Sequence, residues 1–120
     1  MSVLDKEELP KWQRIKYDLE LKIIIGEYKA GDRVPSVRSL AKLYKIGTST
    51  AQTILEKISQ DKTLIMEQGI GFKVSAIAKR KLTTEHRERI RGAIKEICKY
   101  CNKLKLDPIE IAKEFYTKEP

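Results

Sequence analysis

Residues 31–58 of the chain read GDRVPSVRSLAKLYKIGTSTAQTILEKI, and this stretch decides the fold. Pro35 forces the residue before it away from helical geometry, so a helix must begin after it, with Ser36 as its N-cap. Apolar residues then recur at helical spacing on both sides of Gly47, which marks a turn. The inward-facing positions are Val37, Leu40, Ala41 and Tyr44 before the turn and Ala51, Ile54, Leu55 and Ile58 after it. The stretch therefore predicts a helix-turn-helix unit.

The segments on either side extend this unit to a winged helix. A helix that begins at Pro10 and ends near Gly26 carries apolar residues at three- and four-residue spacing. Two strand-like runs, residues 63–67 and 71–75, flank a glycine-containing turn and predict a β-hairpin. An isolated hairpin is marginal in water, so we expect its apolar side chains to pack on the helices: Leu64, Met66, Phe72 and Val74. The predicted fold class is mainly α with a small β-hairpin.

A different pattern follows the hairpin. Apolar residues at alternating spacings of four and three form a narrow heptad-like seam, made of Ile90, Ile94, Ile97, Cys101 and Leu104. Thr83 or Thr84 can cap the start of this helix, and Asp107 and Pro108 begin another. Two such helices cannot bury their apolar faces alone, so we expect a homodimer formed through residues 83–118. The predicted domains are a winged helix-turn-helix domain, 1–76, and a linker with a helical dimerisation tail, 77–120.

The charge of the chain indicates its kind of partner. A net charge of +8 favours a polyanion, because nucleic acid releases counterions when basic groups bind it. The densest basic run, residues 79–81, suits a solvated linker as well as a phosphate contact. No apolar stretch reaches the roughly 18–20 residues that span a bilayer, and the start MSVLDKEELP lacks the apolar segment of a signal peptide. We therefore expect a cytoplasmic protein with no membrane partner.

Cys98 and Cys101 form a C-x-x-C pair. A zinc site needs two further ligands, but the chain has no other cysteine and a single histidine, His86. The pair is best interpreted as two small apolar residues on one helix face, while a metal or disulfide role across a dimer stays open. The sequence contains no phosphate-cradling loop and no evident catalytic pair of carboxylates. We expect no metal, no cofactor and no enzymatic activity.

Polar side chains cluster at the start of the second helix of the helix-turn-helix unit. Thr48, Ser49 and Thr50 offer small hydroxyl donors at a helix N-terminus, which attracts phosphate. Gln52, one turn later, is long enough to reach a base edge, and its amide matches adenine N6 and N7. Arg38 on the preceding helix can contact a phosphate or a guanine. Taken alone, each residue is also consistent with a helix cap or a solvated surface position.

Four pieces of the sequence together closely resemble the GntR family of bacterial transcription regulators. They are PKWQRI at 10–15, GEYKAGDRV at 26–34, PSVRSLA at 35–41 and GIGFKV at 69–74. The short two-helix tail resembles that of the YtrA-like branch of the family. The resemblance implies a winged-helix repressor that dimerises through its tail and binds a two-fold symmetric operator, often one that controls a transporter operon.

The resemblance also implies which positions contact double-stranded DNA. They are Ser36 and Arg38, then Thr48, Ser49, Thr50 and Gln52 on the recognition helix, and Gln68 and Gly69 at the hairpin tip. Many relatives carry arginine near Thr48 or at Gln52, and a basic residue at Ile70, where this chain is uncharged. Affinity is therefore expected from other cations, namely Lys42, Lys45, Lys73 and residues 79–81. The alternative is a winged-helix module that binds a protein rather than specific DNA, and the sequence does not say whether a small-molecule effector exists.

Overall fold

A computed structural model describes residues 9–116 of the 120-residue chain. Five helices and a hairpin follow one another in this range: α1 (Lys11–Ile24), α2 (Val37–Tyr44), α3 (Thr48–Gln60), β1 (Leu64–Glu67), β2 (Gly71–Val74), α4 (Ala78–Leu104) and α5 (Pro108–Tyr116). This order confirms the predicted fold class. The chain divides into a first unit, Met1–Glu85, and a second unit, His86–Pro120. The first eight residues of the predicted domain 1–76 and the last residues of the predicted pairing segment, 117–118, lie outside the described residues.

The first helix ends where the sequence predicts. Its apolar face buries Ile15, Leu19 and Ile23 in the core of the first unit. Gly26 then adopts a φ of +91°, a left-handed conformation that costs glycine little. The backbone N–H of Glu27 donates to the carbonyl of Lys22 at 2.8 Å, which satisfies one of the last carbonyls of the helix.

The helix-turn-helix unit has the predicted cap, turn and buried face. Ser36 caps α2, because its Oγ accepts the backbone N–H of Ser39 at 3.1 Å. The turn begins at Lys45, whose φ of +55° is left-handed, and it ends at Gly47, the N-cap of α3. Six of the predicted inward positions are buried, and Val37 and Tyr44 are partly buried against the same core: Leu40, Ala41, Ala51, Ile54, Leu55 and Ile58. This packing fixes the position of α3 relative to α2.

The hairpin forms in the predicted place, but one of its four predicted core residues is exposed. Leu64 pairs with Val74 and Met66 with Phe72 across the antiparallel strands. Leu64, Phe72 and Val74 are buried, whereas Met66 is 57% exposed, so the prediction for Met66 is wrong. Met66 lies nearer the hairpin tip than Leu64 and lines an open groove instead of the core.

The residues that precede Pro35 add a third short line of backbone pairing to the hairpin. The N–H of Val34 donates to the carbonyl of Phe72 at 3.1 Å, and the N–H of Val74 donates to the carbonyl of Asp32 at 2.8 Å. The non-helical residues that the sequence predicts before Pro35 therefore pair with β2. These bonds tie the hairpin to the segment that leads into α2.

The helix after the hairpin begins earlier than predicted. A start capped by Thr83 or Thr84 is wrong, because α4 begins at Ala78. Ala78 and Leu82 lie one turn apart, and both are buried in the core of the first unit. Because this packing stabilises helical structure from Ala78 onwards, the helix begins five residues before Thr83. Residues 79–81 consequently lie in this helix and do not form a linker. The domain boundary between 76 and 77 stays a prediction.

The second unit exposes most of its apolar residues. Asp107 caps α5 as predicted, with its Oδ1 accepting the N–H of Ile109 at 2.9 Å. Cys101 is buried, but the other large apolar side chains are exposed: Ile90, Ile94, Ile97, Tyr100, Leu104, Leu106, Ile109, Ile111, Phe115 and Tyr116. None of the helices within residues 9–116 is long and apolar enough to cross a membrane.

Candidate nucleic-acid interface

An open groove of about 960 Å³ lies between the start of α2, the start of α3 and the hairpin. Six of the eight predicted DNA-binding residues line it: Ser36, Arg38, Thr48, Gln52, Gln68 and Gly69. The remaining wall comes from Val37 and from the hairpin residues on either side of the tip. Polar side chains separated by more than thirty positions in the sequence therefore meet at one concave surface, beside apolar residues such as Val37 and Phe72.

Ser36 has a structural role at this groove. Its Oγ accepts the backbone N–H of Ser39 at 3.1 Å, and its hydroxyl donates to the Oγ of Ser39, also at 3.1 Å. A serine at an N-cap stabilises a helix by about 1 kcal/mol relative to alanine. The cap interpretation of Ser36 is thus confirmed, and it fixes the start of the helix that carries Arg38.

Arg38 is the groove residue with the most donor capacity. Its side chain is exposed, and it makes no hydrogen bond or ion pair with another residue in the range 9–116. A guanidinium presents five N–H donors in a planar fork that fits two phosphate oxygens or guanine O6 and N7. Arg38 can therefore bind an external anion or base edge without first breaking an internal contact.

The other predicted cations fall into two groups. Four of them are exposed and have no partner within the described part of the chain: Lys42, Lys45, Lys79 and Arg80. Lys73 instead pairs with Glu67 at 3.1 Å, and Lys81 pairs with Glu85 at 2.8 Å. The pKa of Lys81 lies above its ordinary value of 10.5, chiefly because its ammonium group donates a hydrogen bond to Glu85. Lys73 and Lys81 would have to share their charge with a carboxylate, which lowers their value as phosphate contacts.

The start of α3, whose first residue lines the groove, has backbone donors without a side-chain cap. Gly47 is the N-cap and offers no side chain, so the first turn has no side-chain cap. The N–H groups of a first helical turn have no partner inside the helix, and they carry the positive end of the helix dipole. Thr48 adds a hydroxyl at this end and lines the groove. Such an N-terminus is suited to a phosphate.

Gln52 lies one turn further along the same side of α3 and is not free. Its Nε2 donates to Oε2 of Glu56 at 2.8 Å. The amide keeps a second N–H and its oxygen for an external partner. Gln52 and Glu56 are four residues apart and therefore lie on the same face of α3.

Ser49 and Thr50 do not line the groove. They face a second hollow of about 360 Å³ together with Trp12, Thr53, Ile54 and Lys57. There the hydroxyl of Thr53 donates to the carbonyl of Ser49 at 3.0 Å, and the Lys57 ammonium lies 4.9 Å from the centre of the Trp12 ring. The structure thus separates the three hydroxyl residues that the sequence groups together. Trp12 and Lys57 are neighbours that the sequence interpretation misses.

The hairpin tip is a three-residue loop held at its base. The N–H of Ile70 donates to the carbonyl of Glu67 at 2.9 Å, and Gly69 has a φ of +78°, which a side chain would strain. The Glu67 carboxylate lies 3.1 Å from the Lys73 ammonium and 3.7 Å from the Arg33 guanidinium. These contacts hold the base of the loop, while Gln68 and Gly69 stay exposed.

A hydrogen bond between helices supports the placement of α2. Burial raises the pKa of Tyr44 above its ordinary value of 10.0, and the charge of Asp18, the nearby Tyr28 and a hydrogen bond to Asp18 raise it further. The Tyr44 hydroxyl is therefore protonated at neutral pH and donates to the carboxylate on α1. This contact links the back of α2 to α1 and leaves the Arg38 side exposed.

The structure shows no metal centre in the residues that it describes. No group of three or more histidine, cysteine, aspartate or glutamate side chains comes together there. Cys98 is half-buried and Cys101 is buried, and both thiols are free. This arrangement fits the interpretation of the pair as small apolar side chains on one helix face.

The order of helices, hairpin and groove defines a winged helix-turn-helix protein. The model of the bacterial regulatory proteins of the gntR family matches residues 11–74, which is more than half of the 120-residue chain. The chain therefore belongs to the GntR family of bacterial regulatory proteins. The matched range contains the helix-turn-helix unit, the hairpin and all eight predicted DNA-binding residues.

Relatives show the same domain in different settings. YdfD, an HTH-type transcriptional regulator of Bacillus subtilis (strain 168), is 35% identical over 65 residues, which are 54% of this chain and 14% of that protein. A GntR family transcriptional regulator from Listeria monocytogenes has the same fold, with a TM-score of 0.73 and 21% identity over 92% of this chain and 96% of that one. The AraR DNA-binding domain in complex with operator ORX1 aligns with a TM-score of 0.55 and 20% identity over 62% of this chain and 90% of that one.

Proposed function

We propose that this protein is a sequence-specific DNA-binding transcriptional regulator whose groove between α2, α3 and the hairpin receives the operator. The observation that carries the proposal is the convergence of Arg38, Thr48, Gln52 and the hairpin tip on that groove. Arg38 is uncommitted and the α3 N-terminus has free donors, so the groove combines base-reading and phosphate-binding groups. The operator-bound AraR domain, which shares the fold, supports DNA as the partner.

Each predicted contact has a distinct role in this proposal. Arg38 and Gln52 read base edges, while Thr48 and the α3 backbone bind a phosphate. Gln68 and Gly69 follow the neighbouring minor groove. Ser36 fixes α2 and contacts the backbone through its exposed hydroxyl, and Ser49 and Thr50 contact DNA from the second hollow, beside Lys57.

We further propose that two copies pair through residues 83–118 and bind a palindromic operator. The exposed seam of the second unit supports this, because Ile90, Ile94, Ile97 and Leu104 are each about half exposed in a single chain. The α5 helix has no buried residue among those described, so its apolar face also needs a partner. A homodimer would hold two recognition helices at a fixed spacing on DNA. Such a dimer acts in the cytoplasm as a repressor of the YtrA-like kind.

Selection of DNA fragments by the purified protein, followed by gel shifts at several salt concentrations, tests the proposal. The expected result is a palindromic site bound by a dimer, with an affinity that falls steeply as salt rises. A protein-interaction module would instead show no preferred DNA sequence and a salt-insensitive interaction with its partner. That result would reject sequence-specific DNA binding.

A reporter experiment tests the sign of regulation. The selected site is placed over a promoter, and expression is compared with and without the protein. A repressor lowers expression from this promoter and leaves a promoter with a scrambled site unchanged. Increased expression would instead identify an activator.

A further inference from the structure

The contact between Gln52 and Glu56 changes what the recognition helix α3 presents to DNA. Residues four apart lie on the same helix face, and here Gln52 Nε2 and Glu56 Oε2 are 2.8 Å apart. A primary amide has two N–H donors and one acceptor oxygen. Glu56 occupies one donor, so one N–H and Oε1 remain. These two groups match adenine N7 and N6 in the major groove.

The negative charge of Glu56 is not offset by a nearby cation among residues 9–116. Glu67, the acidic residue at the hairpin base, lies close to the cations of Lys73 and Arg33. Glu56 is exposed and has no cationic partner among residues 9–116. A carboxylate without a cationic partner weakens binding of every DNA sequence when it lies near the phosphate backbone, and most strongly at low salt. On the proposed recognition helix, Glu56 would therefore oppose general affinity for DNA.

We propose that Glu56 is a specificity-determining residue that acts by positioning Gln52; this rests on the proposed DNA-binding function. A glutamine side chain has several rotatable bonds, and its amide can turn to present either its oxygen or its nitrogen. The hydrogen bond to Glu56 holds the amide in one orientation, in which Oε1 and the second N–H remain for N6 and N7 of an adenine. Glu56 thus lowers affinity for random DNA and sharpens the choice of one base pair.

Two substitutions separate the hydrogen bond from the charge. Glu56→Ala removes both, whereas Glu56→Gln keeps an acceptor for Gln52 and removes only the charge. Glu27→Ala is the control, because Glu27 is an exposed carboxylate of the first unit that lies outside α3. Circular dichroism establishes that each variant is folded. The full-length protein is then titrated with the selected site, with that site changed at the base pair that Gln52→Ala relaxes, and with random DNA.

Glu56→Ala should lose about fivefold or more of the preference for the correct base pair, since a bidentate amide contact carries a discrimination of this order. Glu56→Gln should keep the preference within about twofold, because the acceptor is retained. Both variants should bind random DNA more tightly than the wild type at low salt, and more than Glu27→Ala does. In a Gln52→Ala background, Glu56→Ala should leave base preference unchanged.

Three outcomes overturn the inference. In one, Glu56→Ala keeps the wild-type base preference. In another, Glu56→Gln loses as much preference as Glu56→Ala. In the third, Glu56→Ala still changes the base preference of a protein that already carries Gln52→Ala. Each leaves the proposed function intact if the wild type selects a site. A wild-type protein that selects no site rejects the proposed function and this inference together.

Discussion

The two units of the chain treat their apolar residues in opposite ways. The first unit buries a core of fifteen hydrophobic residues contributed by four helices, the hairpin and the segment before α2. The second unit buries Cys101, yet it holds ten of the seventeen large hydrophobic side chains that are exposed within the described range. The first unit completes its core within one chain. The second unit leaves an apolar surface exposed, and we propose that a second copy covers it.

This difference implies a division of labour. The groove that carries Arg38 and Gln52 lies entirely within the first unit, so the proposed reading of DNA would need only that unit. The heptad-like seam lies within the second unit, and in the proposed homodimer it would bring two DNA-binding domains together. Substitutions in one unit should therefore leave the property of the other unchanged.

The largest effect is expected from breaking the seam. The double change Ile94→Asp and Ile97→Asp places charges on the proposed pairing face of both copies, where burial without a partner costs several kcal/mol. Sedimentation should show a monomer, with dimer affinity at least about a thousandfold weaker. Binding to the full palindrome should fall strongly, while weak binding to a half-site remains.

Leu21→Asp is the matched control for the seam variant. Leu21 is also about half exposed, but it lies on α1 of the first unit. This variant should remain a dimer. Equal dissociation of both variants, or a dimer that survives the double change, would contradict pairing through the second unit.

The next largest effect is expected from a truncation in the core of the first unit, which should lower its free energy of unfolding. Leu55 is fully buried on α3, so Leu55→Ala should reduce the free energy of unfolding of the first unit by about 2–5 kcal/mol. Urea unfolding followed by Trp12 fluorescence measures this change. The loss should not depend on protein concentration, whereas Ile97→Ala in the seam should lower stability more at low concentration. A concentration-dependent loss for Leu55→Ala would mean that the first unit also depends on pairing.

Sequence periodicity predicted most of the first unit because its apolar faces find partners in the same chain. Leu40 on α2 and Leu55 on α3 each belong to a set of apolar residues at helical spacing, and both are buried in the core of the first unit. Met66 and the start of α4 were predicted wrongly because each depends on tertiary contacts. The core reaches Ala78 and Leu82 but does not reach Met66 near the hairpin tip.

The sequence motifs name the residues of the candidate interface, but they do not show how these residues are arranged in space. The family motifs placed Arg38 and Gln52 correctly on neighbouring helices. They could not show that Ser49 and Thr50 face Trp12, since this depends on how α1 lies beside α3. The contact between Gln52 and Glu56 was accessible from their spacing alone.

A smaller effect is expected from a substitution of Arg38. It should change DNA binding without changing dimerisation. Arg38→Gln should weaken binding to the selected site by about 1–3 kcal/mol if the guanidinium reads a base, and relax selection at that position. Sedimentation should show an unchanged dimer. Lys42→Gln is the control one turn later on α2, outside the groove, and should weaken all sequences equally while lowering the salt dependence. An equal loss on random DNA for Arg38→Gln would assign it a phosphate contact.

The smallest effect concerns Ser36, where stability and DNA contact can be measured separately. Ser36→Ala removes the cap of α2 and should lower the free energy of unfolding by about 1 kcal/mol. Ser36→Asp keeps a capping oxygen, so it should unfold like the wild type, but its charge would repel a phosphate. Weaker DNA binding by the stable aspartate variant would therefore establish that Ser36 lies against the DNA backbone. Unchanged binding would leave Ser36 as a cap and nothing more, and the dimer should persist in either case because the seam lies in the second unit.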